Sequence, residues 1–309
     1  MAMRSAWLVL GLALLAVALT PSDAFAWTPG THVVLGEAVL RSLDLLPTAT
    51  ASLLAAHPID FLYGSIAADT SLAKKYVPEG RHCHSWQVGF EIHDGADDER
   101  LAAFGLGYLA HLAADVVAHN HYVPYRLAIT SSTVALGHSY WESRFESELG
   151  DRGAKRAREL ILHDHSRADA LLDRILSPTL FSTGTNRRFF RGMVMVTDLD
   201  SWQMVMRAVA DNSRWALRPR EIDMHLVRSF DYVMDLLDRR GGSEPCRFDP
   251  SGEAALGEAK RLRKTAIRDG GEARVLDEAE RAFGLSGTAL DFASRLDVPL
   301  YPVTRLPSS

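Results

Sequence analysis

Hydrophobic residues recur at three- and four-residue spacing along most of this chain, which is the period of an α-helix. Residues 98–118 show the pattern most clearly, with Leu101, Phe104, Leu109 and Leu112 on or near one face. The same spacing predicts further helices at residues 31–43, 49–56, 59–68, 138–149, 154–176, 186–195, 199–217 and 222–237. Strand-like alternation is nearly absent, so the sequence predicts an all-α fold built as a multi-helix bundle.

Two stretches interrupt the helical pattern. Residues 74–84 contain Pro78 and Gly80, and residues 122–137 contain a cluster of serines and threonines. Both compositions are typical of irregular connections, so both stretches are predicted to be loops.

The character of the chain changes after residue 240, where a Gly-Gly pair and two prolines follow. Residues 251–293 are rich in charge and favour helix, with a break at residues 270–271, and a proline-bearing tail comes last. The predicted units are therefore a leader at 1–26, a helical domain at 27–240 and a charged helical C-terminal extension at 241–309.

The first residues have the order of a secretory signal peptide. Arg4 precedes an apolar run at residues 6–19, and Ala24-Phe25-Ala26 has the small residues of a cleavage site. Cleavage there would leave Trp27 first in an exported protein, either periplasmic or extracellular. No later segment is expected to be long and apolar enough to cross a bilayer.

Charge and cysteine content add two expectations. The net charge of −5 gives no global electrostatic reason to bind nucleic acid or an anionic membrane. Cys83 and Cys246 could form one disulfide or remain thiols, and the exported compartment favours the disulfide.

The candidate chemistry is concentrated between residues 111 and 142. His111 and Asp115 are four residues apart, so on a helix they share one face, and His138 and Glu142 repeat this spacing. An imidazole–carboxylate pair can be an ordinary polar contact on a helix surface. The nearly apolar residues 112–118 argue for a buried helix instead, where such side chains need partners such as a metal ion.

The sequence lacks the motifs of several other enzyme classes. The sequence has no Gly-x-Ser-x-Gly elbow, no phosphate-binding Walker loop and no His-Glu-x-x-His motif. His163 and His165 are adjacent helical positions whose side chains diverge, so they are interpreted as surface residues.

Several motifs in order resemble the zinc-dependent phospholipases C, which are related to the zinc nucleases that cut single strands. The motifs are Trp27 after Ala-Phe-Ala, GTHVVLGEAVL at 30–40, GSIAAD at 64–69, HLAAD at 111–115 and GHSYWE at 137–142. The resemblance covers residues 27–146. It implies the fold of that family, with residues 241–309 as a helical addition.

The resemblance implies a set of zinc ligands, which are Trp27, His32, Asp69, His84, His111, Asp115, His121, His138 and Glu142. His82 is the alternative to His84, and His119 is the alternative to His121. Three zinc ions are implied, and Asp115 bridges two of them. The implied groups are Asp69, His84, His111 and Asp115 for one zinc, His121, His138 and Glu142 for another, and Trp27, His32 and Asp115 for the third.

The implied activity is hydrolysis of a phosphodiester by a metal-bound hydroxide, with Asp69 as the general base. A phosphodiester or phospholipid is the implied substrate, and peripheral membrane contact is compatible with it. The alternatives are a single-strand nuclease of the same fold and a non-catalytic zinc-binding protein. The net negative charge of the chain disfavours the nuclease. Residues 116–120 depart from the Gln-Pro pair that the family usually carries before the histidine matched to His121.

Overall fold

The regular elements are all helical in the part of the chain that the structure describes. This computed structural model describes residues 27–71, 77, 81–130, 134–179 and 181–300. The all-α prediction is confirmed over these residues. The predicted signal peptide at 1–26 and the last prolines of the tail lie outside them.

The helices are numbered here in chain order. They are α1 Pro29–Leu40, α2 Thr48–Ala56, α3 Pro58–Ala67, α4 Trp86–Asp94, α5 Glu99–Val117, α6 Val123–Thr130, α7 Val134–Leu149, α8 Arg152–Ile161, α9 Ser166–Ile175, α10 Thr183–Thr197, α11 Asp200–Asp211, α12 Pro219–Arg239 and α13 Glu253–Phe283. A π-helical turn, Ala118–Tyr122, joins α5 to α6, and a 3-10 turn, Ala68–Thr70, follows α3.

The helix α5 lies in the centre of the fold. Asp98 caps its first turn, because the Asp98 Oδ1 atom accepts a hydrogen bond of 2.8 Å from the Leu101 amide. The helices α3, α4 and α12 pack around α5, so all of its residues from Ala103 to Val117 are buried. Side chains on every face of α5 are therefore buried, including its polar ones.

Two glycines let α3 and α5 approach each other closely. A Cβ atom at Gly64 would lie 2.1 Å from the Phe104 carbonyl oxygen, and one at Gly107 would lie 2.0 Å from the Phe61 carbonyl oxygen. These distances leave no room for even a methyl group. The close crossing brings the turn after α3 next to the C-terminal half of α5.

Trp27 fixes the start of the described chain to the bundle. Its indole Nε1 atom donates hydrogen bonds to the Ala114 carbonyl at 3.1 Å and to Ser229 Oγ at 3.2 Å. The ring packs against Phe145 and Tyr122, with centroids 4.2 Å and 5.2 Å away. The beginning of α1 is thereby held beside α5.

The helix α13 covers the π turn and α6. Arg263 donates a 2.7 Å hydrogen bond to the Ala128 carbonyl of α6. Gly271 breaks the helical path with φ 70° and ψ −163°, as the predicted break at residues 270–271 anticipated. The division of the chain into domains at residue 240 stays a prediction.

Three predictions of secondary structure were wrong. Residues 122–137 are not one loop, because α6 forms there and α7 begins at Val134. The stretch 154–176 is two helices, because α8 ends at Ile161 and α9 begins at Ser166. Residues 199–217 are not one helix, because α11 ends at Asp211. The sequence pattern also missed the helix α4.

The side chains of α6 explain the first of these errors. Val123, Leu127 and Ala128 are at most 4% exposed, and they are covered where α13 packs on α6. The helix propensity of a short segment has less influence on its structure than burial against the rest of the protein. Here the covering segment, α13, is more than a hundred residues away in the chain, so the local sequence did not reveal it.

Two further expectations about single residues were wrong. His165 is not a surface residue, because it is 5% exposed and stacks on Tyr63 with a centroid distance of 3.6 Å. Cys83 and Cys246 are thiols rather than a disulfide. The Cys83 Sγ atom lies 3.3 Å from His84 Nδ1, and Cys246 contacts Ser243 Oγ at 3.3 Å.

The span Glu99–Thr130 is long and apolar enough to cross a membrane, contrary to the expectation from the sequence. However, 94% of its most apolar window is buried inside the protein. A buried core helix has the same length and hydropathy as a membrane span, and this span consists of α5, the π turn and α6.

Because α3 and α5 cross in contact, we expect one added methyl group at Gly107 to destabilise the protein. The substitution Gly107→Ala should lower the free energy of unfolding by about 1–3 kcal/mol, because the two backbones must separate. Urea unfolding followed by circular dichroism measures the change. The control is Gly192→Ala in α10, where a Cβ atom meets nothing within 4 Å. Equal unfolding midpoints for the two variants would contradict the packing described here.

Candidate metal centre

A set of buried histidine and carboxylate side chains lies where α1, α3 and α5 meet. The helix α5 supplies His111 and Asp115, which are one turn apart and point the same way. His32 lies in the first turn of α1, Asp69 lies in the 3-10 turn after α3, and His84 precedes α4. These five residues are at most 2% exposed.

Asp115 has a different partner set at each carboxylate oxygen. Its Oδ1 atom lies 3.1 Å from His32 Nε2 and 3.5 Å from the Trp27 backbone nitrogen. Its Oδ2 atom lies 2.8 Å from His84 Nε2 and 3.0 Å from His111 Nε2. Asp115 is thus placed to bridge two cations.

The side chain of Asp69 approaches the same two imidazoles. Its Oδ1 atom lies 3.5 Å from His84 Nε2 and 3.8 Å from His111 Nε2. Two ligands that bind one tetrahedral zinc at 2.0–2.1 Å lie roughly 3.3 Å from each other. The donor atoms of Asp69, His84 and His111 therefore have the spacing that one ion requires, and those of His32, His111 and Asp115 form a second such set.

A further group consists of His119 on the π turn and His138 and Glu142 on α7. His138 Nε2 lies 2.6 Å from Glu142 Oε1, which is the i,i+4 pairing seen in the sequence. The His119 ring centroid lies 5.2 Å from that of His138 and 6.0 Å from that of His84. His119 therefore lies between the two parts of the cluster.

The structure does not bring His121 to this group. The His121 Nδ1 atom lies 3.1 Å from the Phe283 carbonyl at the end of α13, and its ring packs against Phe248. His119, which lies four residues after Asp115, is in this group instead, beside His138 and His84. The resemblance implied His121, with His119 as the alternative.

Of the two histidines beside Cys83, only His84 reaches Asp115. The His82 Nδ1 atom accepts a hydrogen bond of 3.0 Å from the His84 amide. His82, Cys83 and His84 form a separate small group of possible ligand atoms on the outer side of His84. The role of His84 rather than His82 as a zinc ligand stays a prediction.

The hydrogen bonds of the histidine rings show that the cluster suits a cation. A carbonyl oxygen can only accept, so the 2.9 Å contact with the Ser65 carbonyl makes His111 Nδ1 the donor. Neutral His111 then carries a lone pair on Nε2, which faces His84 Nε2 at 3.1 Å. The Asp115 Oδ2 and His32 Nε2 atoms are also buried, and they face imidazole or carboxylate atoms at 2.8–3.1 Å. Zinc ions between these atoms would bind their lone pairs.

The charges in the cluster shift the pKa values of its members. Burial acts against the charged forms of Asp115 and His111, but their mutual attraction outweighs it. The pKa of Asp115 is therefore held well below 3.8, and the pKa of His111 is raised above 6.5. Burial, together with the neighbouring His111, lowers the pKa of His32 to about 4.

Some contacts of the centre could not be found from the sequence. Carbonyl groups of Ser65 and Pro250 accept from the rings of His111 and His119, and backbone carbonyls carry no signal in residue type. The position of His119 could have been predicted from the sequence. His111, Asp115 and His119 are spaced four residues apart, so they lie on one face of a helix.

Comparison with known proteins identifies the family. Residues 31–177 match the sequence model of the zinc dependent phospholipase C family. This segment, a little under half of the chain, belongs to that family. It contains the whole cluster except Trp27. Searches of curated proteins and of solved structures found no match.

The raised pKa of His111 predicts that zinc binding depends on pH. Zinc binds the neutral imidazole, so a proton must leave His111 when the ion enters. The apparent zinc affinity should rise as the pH increases through the raised pKa of His111, above 6.5. Calorimetric titration of the metal-free protein in buffers of different ionisation enthalpy measures the released protons. Zinc binding without proton release around neutral pH would contradict this assignment.

Proposed function

We propose that this protein is an exported, zinc-dependent phosphodiesterase that hydrolyses a phospholipid or a related phosphodiester. The observation that carries the proposal is the buried Asp115 carboxylate with three imidazole nitrogens at 2.8–3.1 Å. Members of the family are zinc-dependent hydrolases, and they are typically secreted. The signal peptide predicted at residues 1–26 agrees with export.

The ligand set that we propose draws on three of these groups and adds Trp27. One zinc would be held by Asp69, His84, His111 and Asp115, a second by His119, His138 and Glu142, and a third by Trp27, His32 and Asp115. When bound, zinc would supply positive charge for the oxygens of a phosphodiester and would make a water molecule more acidic.

The chain's own residues would orient the site and handle the proton. Asp69 is the proposed general base, because its carboxylate is fully buried at the edge of the Asp115 cluster. In such surroundings a carboxylate can accept a proton from water that attacks the phosphorus. Ser65 and Pro250 would keep the rings of His111 and His119 in the tautomer whose Nε2 atom faces the cluster.

We also propose peripheral contact with a membrane through α10. The inner side of this helix, with Phe190 and Val194, is buried, and α10 packs against the 3-10 turn that carries Asp69. Its outer side exposes Phe189 and Val196, and Leu199 follows at the end of the helix. Exposed apolar side chains so close to the site suit an enzyme that takes lipid from a bilayer.

Hydrolysis of a panel of phosphodiesters tests the proposed activity. We expect the zinc-loaded protein to cleave a small chromogenic phosphodiester and phosphatidylcholine in mixed micelles. A chelator should abolish both activities, and added zinc should restore them. Asp69→Asn should lower kcat by about 10²- to 10⁴-fold, as expected for loss of a general base. The matched control is Asp94→Asn, because the Asp94 side chain is 74% exposed.

Three results would overturn the proposal in different ways. Cleavage of single-stranded DNA or RNA alone would assign the chain to the nuclease alternative. Full zinc content without turnover of any substrate would indicate a non-catalytic zinc protein. Equal kcat values for Asp69→Asn and Asp94→Asn would remove Asp69 as the base.

The membrane contact has its own test. Leu199→Glu should weaken sedimentation with phosphatidylcholine vesicles and slow hydrolysis of vesicle lipid, because a charge enters the apolar face. The same variant should retain wild-type activity on the small soluble phosphodiester. Unchanged vesicle binding would contradict a role of α10 at the membrane.

A further inference from the structure

Both ends of α13 contact the π turn that carries His119. The Pro250 carbonyl, just before α13, lies 2.6 Å from His119 Nδ1. The Phe283 carbonyl, at the end of α13, lies 3.1 Å from His121 Nδ1. The Asp249 carbonyl accepts a further hydrogen bond of 2.8 Å from the Asn120 side chain.

These contacts require α13 to fold back on itself. A straight helix of its 31 residues would be about 46 Å long, at 1.5 Å per residue. His119 and His121 are two residues apart, so their Cα atoms are separated by at most about 7 Å. The break at Gly271, with φ 70°, is the point where the chain reverses.

The turn at residues 249–252 lies directly against His119. The Gly252 amide donates a 3.1 Å hydrogen bond to the Asp249 carbonyl, which closes the turn. Gly252 has φ +59°, and a Cβ atom there would lie 2.4 Å from His119 Cβ and 2.5 Å from the His119 carbonyl oxygen. Only a residue without a side chain allows the turn to approach this closely.

We infer that the 249–252 turn positions His119 as a metal ligand, so that the C-terminal extension completes the metal centre. The Pro250 carbonyl can only accept, so it fixes the proton on His119 Nδ1 and leaves the Nε2 lone pair for the cluster. Gly252 permits the contact. Both residues lie outside the family match at residues 31–177. This inference rests on the proposed metal centre.

The contact also links zinc binding to the docking of α13. If the turn holds His119 ready for zinc, then zinc at His119, His138 and Glu142 must in return stabilise the docked turn. Amide hydrogen exchange in residues 249–256 should therefore be slower in the zinc-loaded protein than in the metal-free protein. This readout does not depend on catalysis.

Substitutions of Gly252 test the inference. Gly252→Ala and Gly252→Asn both place a Cβ atom against His119, and asparagine tolerates positive φ well. We expect each variant to bind zinc at this group about 10- to 100-fold more weakly, as for other lost contacts to a ligand ring. Zinc per chain, measured by mass spectrometry after dialysis in a zinc buffer, should fall by one ion. Circular dichroism should show the helical content of the wild type.

The matched control is Gly257→Ala in the same helix. A Cβ atom at Gly257 meets nothing within 4 Å, so this variant should bind the wild-type amount of zinc. His119→Ala should lose the same ion as Gly252→Asn. The double variant should lose no more than either single variant, because both changes act on one ligand.

The possible outcomes separate this inference from the proposed function. Wild-type zinc content in folded Gly252→Asn would overturn the positioning role and leave the metal centre intact. Higher activity of that variant with full zinc content would also overturn it, because the turn would then be an obstruction to substrate. A wild-type protein without zinc would instead refute the metal centre itself.

Discussion

The burial of the Asp115 carboxylate on an apolar helix is the constraint on which this structure depends. Asp115 is fully buried, and a carboxylate in such a place is costly unless charges or donors surround it. Three histidine rings from three separate segments converge on it at 2.8–3.1 Å. The fold must therefore bring α1, the segment before α4 and α5 together at this point.

The segments that carry the ligands reach Asp115 because their backbones pack closely against each other. Gly64 and Gly107 allow α3 to cross α5 in contact, so that the turn with Asp69 reaches the cluster. Trp27 ties the start of α1 to the Ala114 carbonyl, one residue before Asp115. On the other side, Gly252 allows the C-terminal extension to rest on His119. Small residues at these contacts give the centre its geometry, and the large apolar side chains around them supply most of the stability.

The sequence predicted the parts of the site that depend on local geometry. His111 and Asp115, like His138 and Glu142, are one helical turn apart, and that spacing survives in any helix. The helical spacing put His119 on the row of His111 and Asp115, whereas the resemblance pointed to His121. The structure brings His119 to the cluster and leaves His121 against the Phe283 carbonyl.

Long-range packing accounts for what the sequence could not predict. The helix α6 looked like a loop because its stability comes from contact with α13, far away in the chain. His165 looked exposed because its partner, Tyr63, is about a hundred residues away. The carbonyl of Pro250 reaches His119 only after α13 has folded back at Gly271. Helix content could be predicted from local patterns, whereas the contacts that orient the ligands could not.

The most direct test of the metal centre is anomalous diffraction at the zinc edge from crystals of the zinc-loaded protein. The proposed ligand set predicts three strong anomalous peaks. Two of them decide the claim, one beside Asp115 within reach of His84 and His111, and one beside His119, His138 and Glu142. Well-ordered crystals without a peak at either place would contradict the assignment of this buried cluster as a zinc centre.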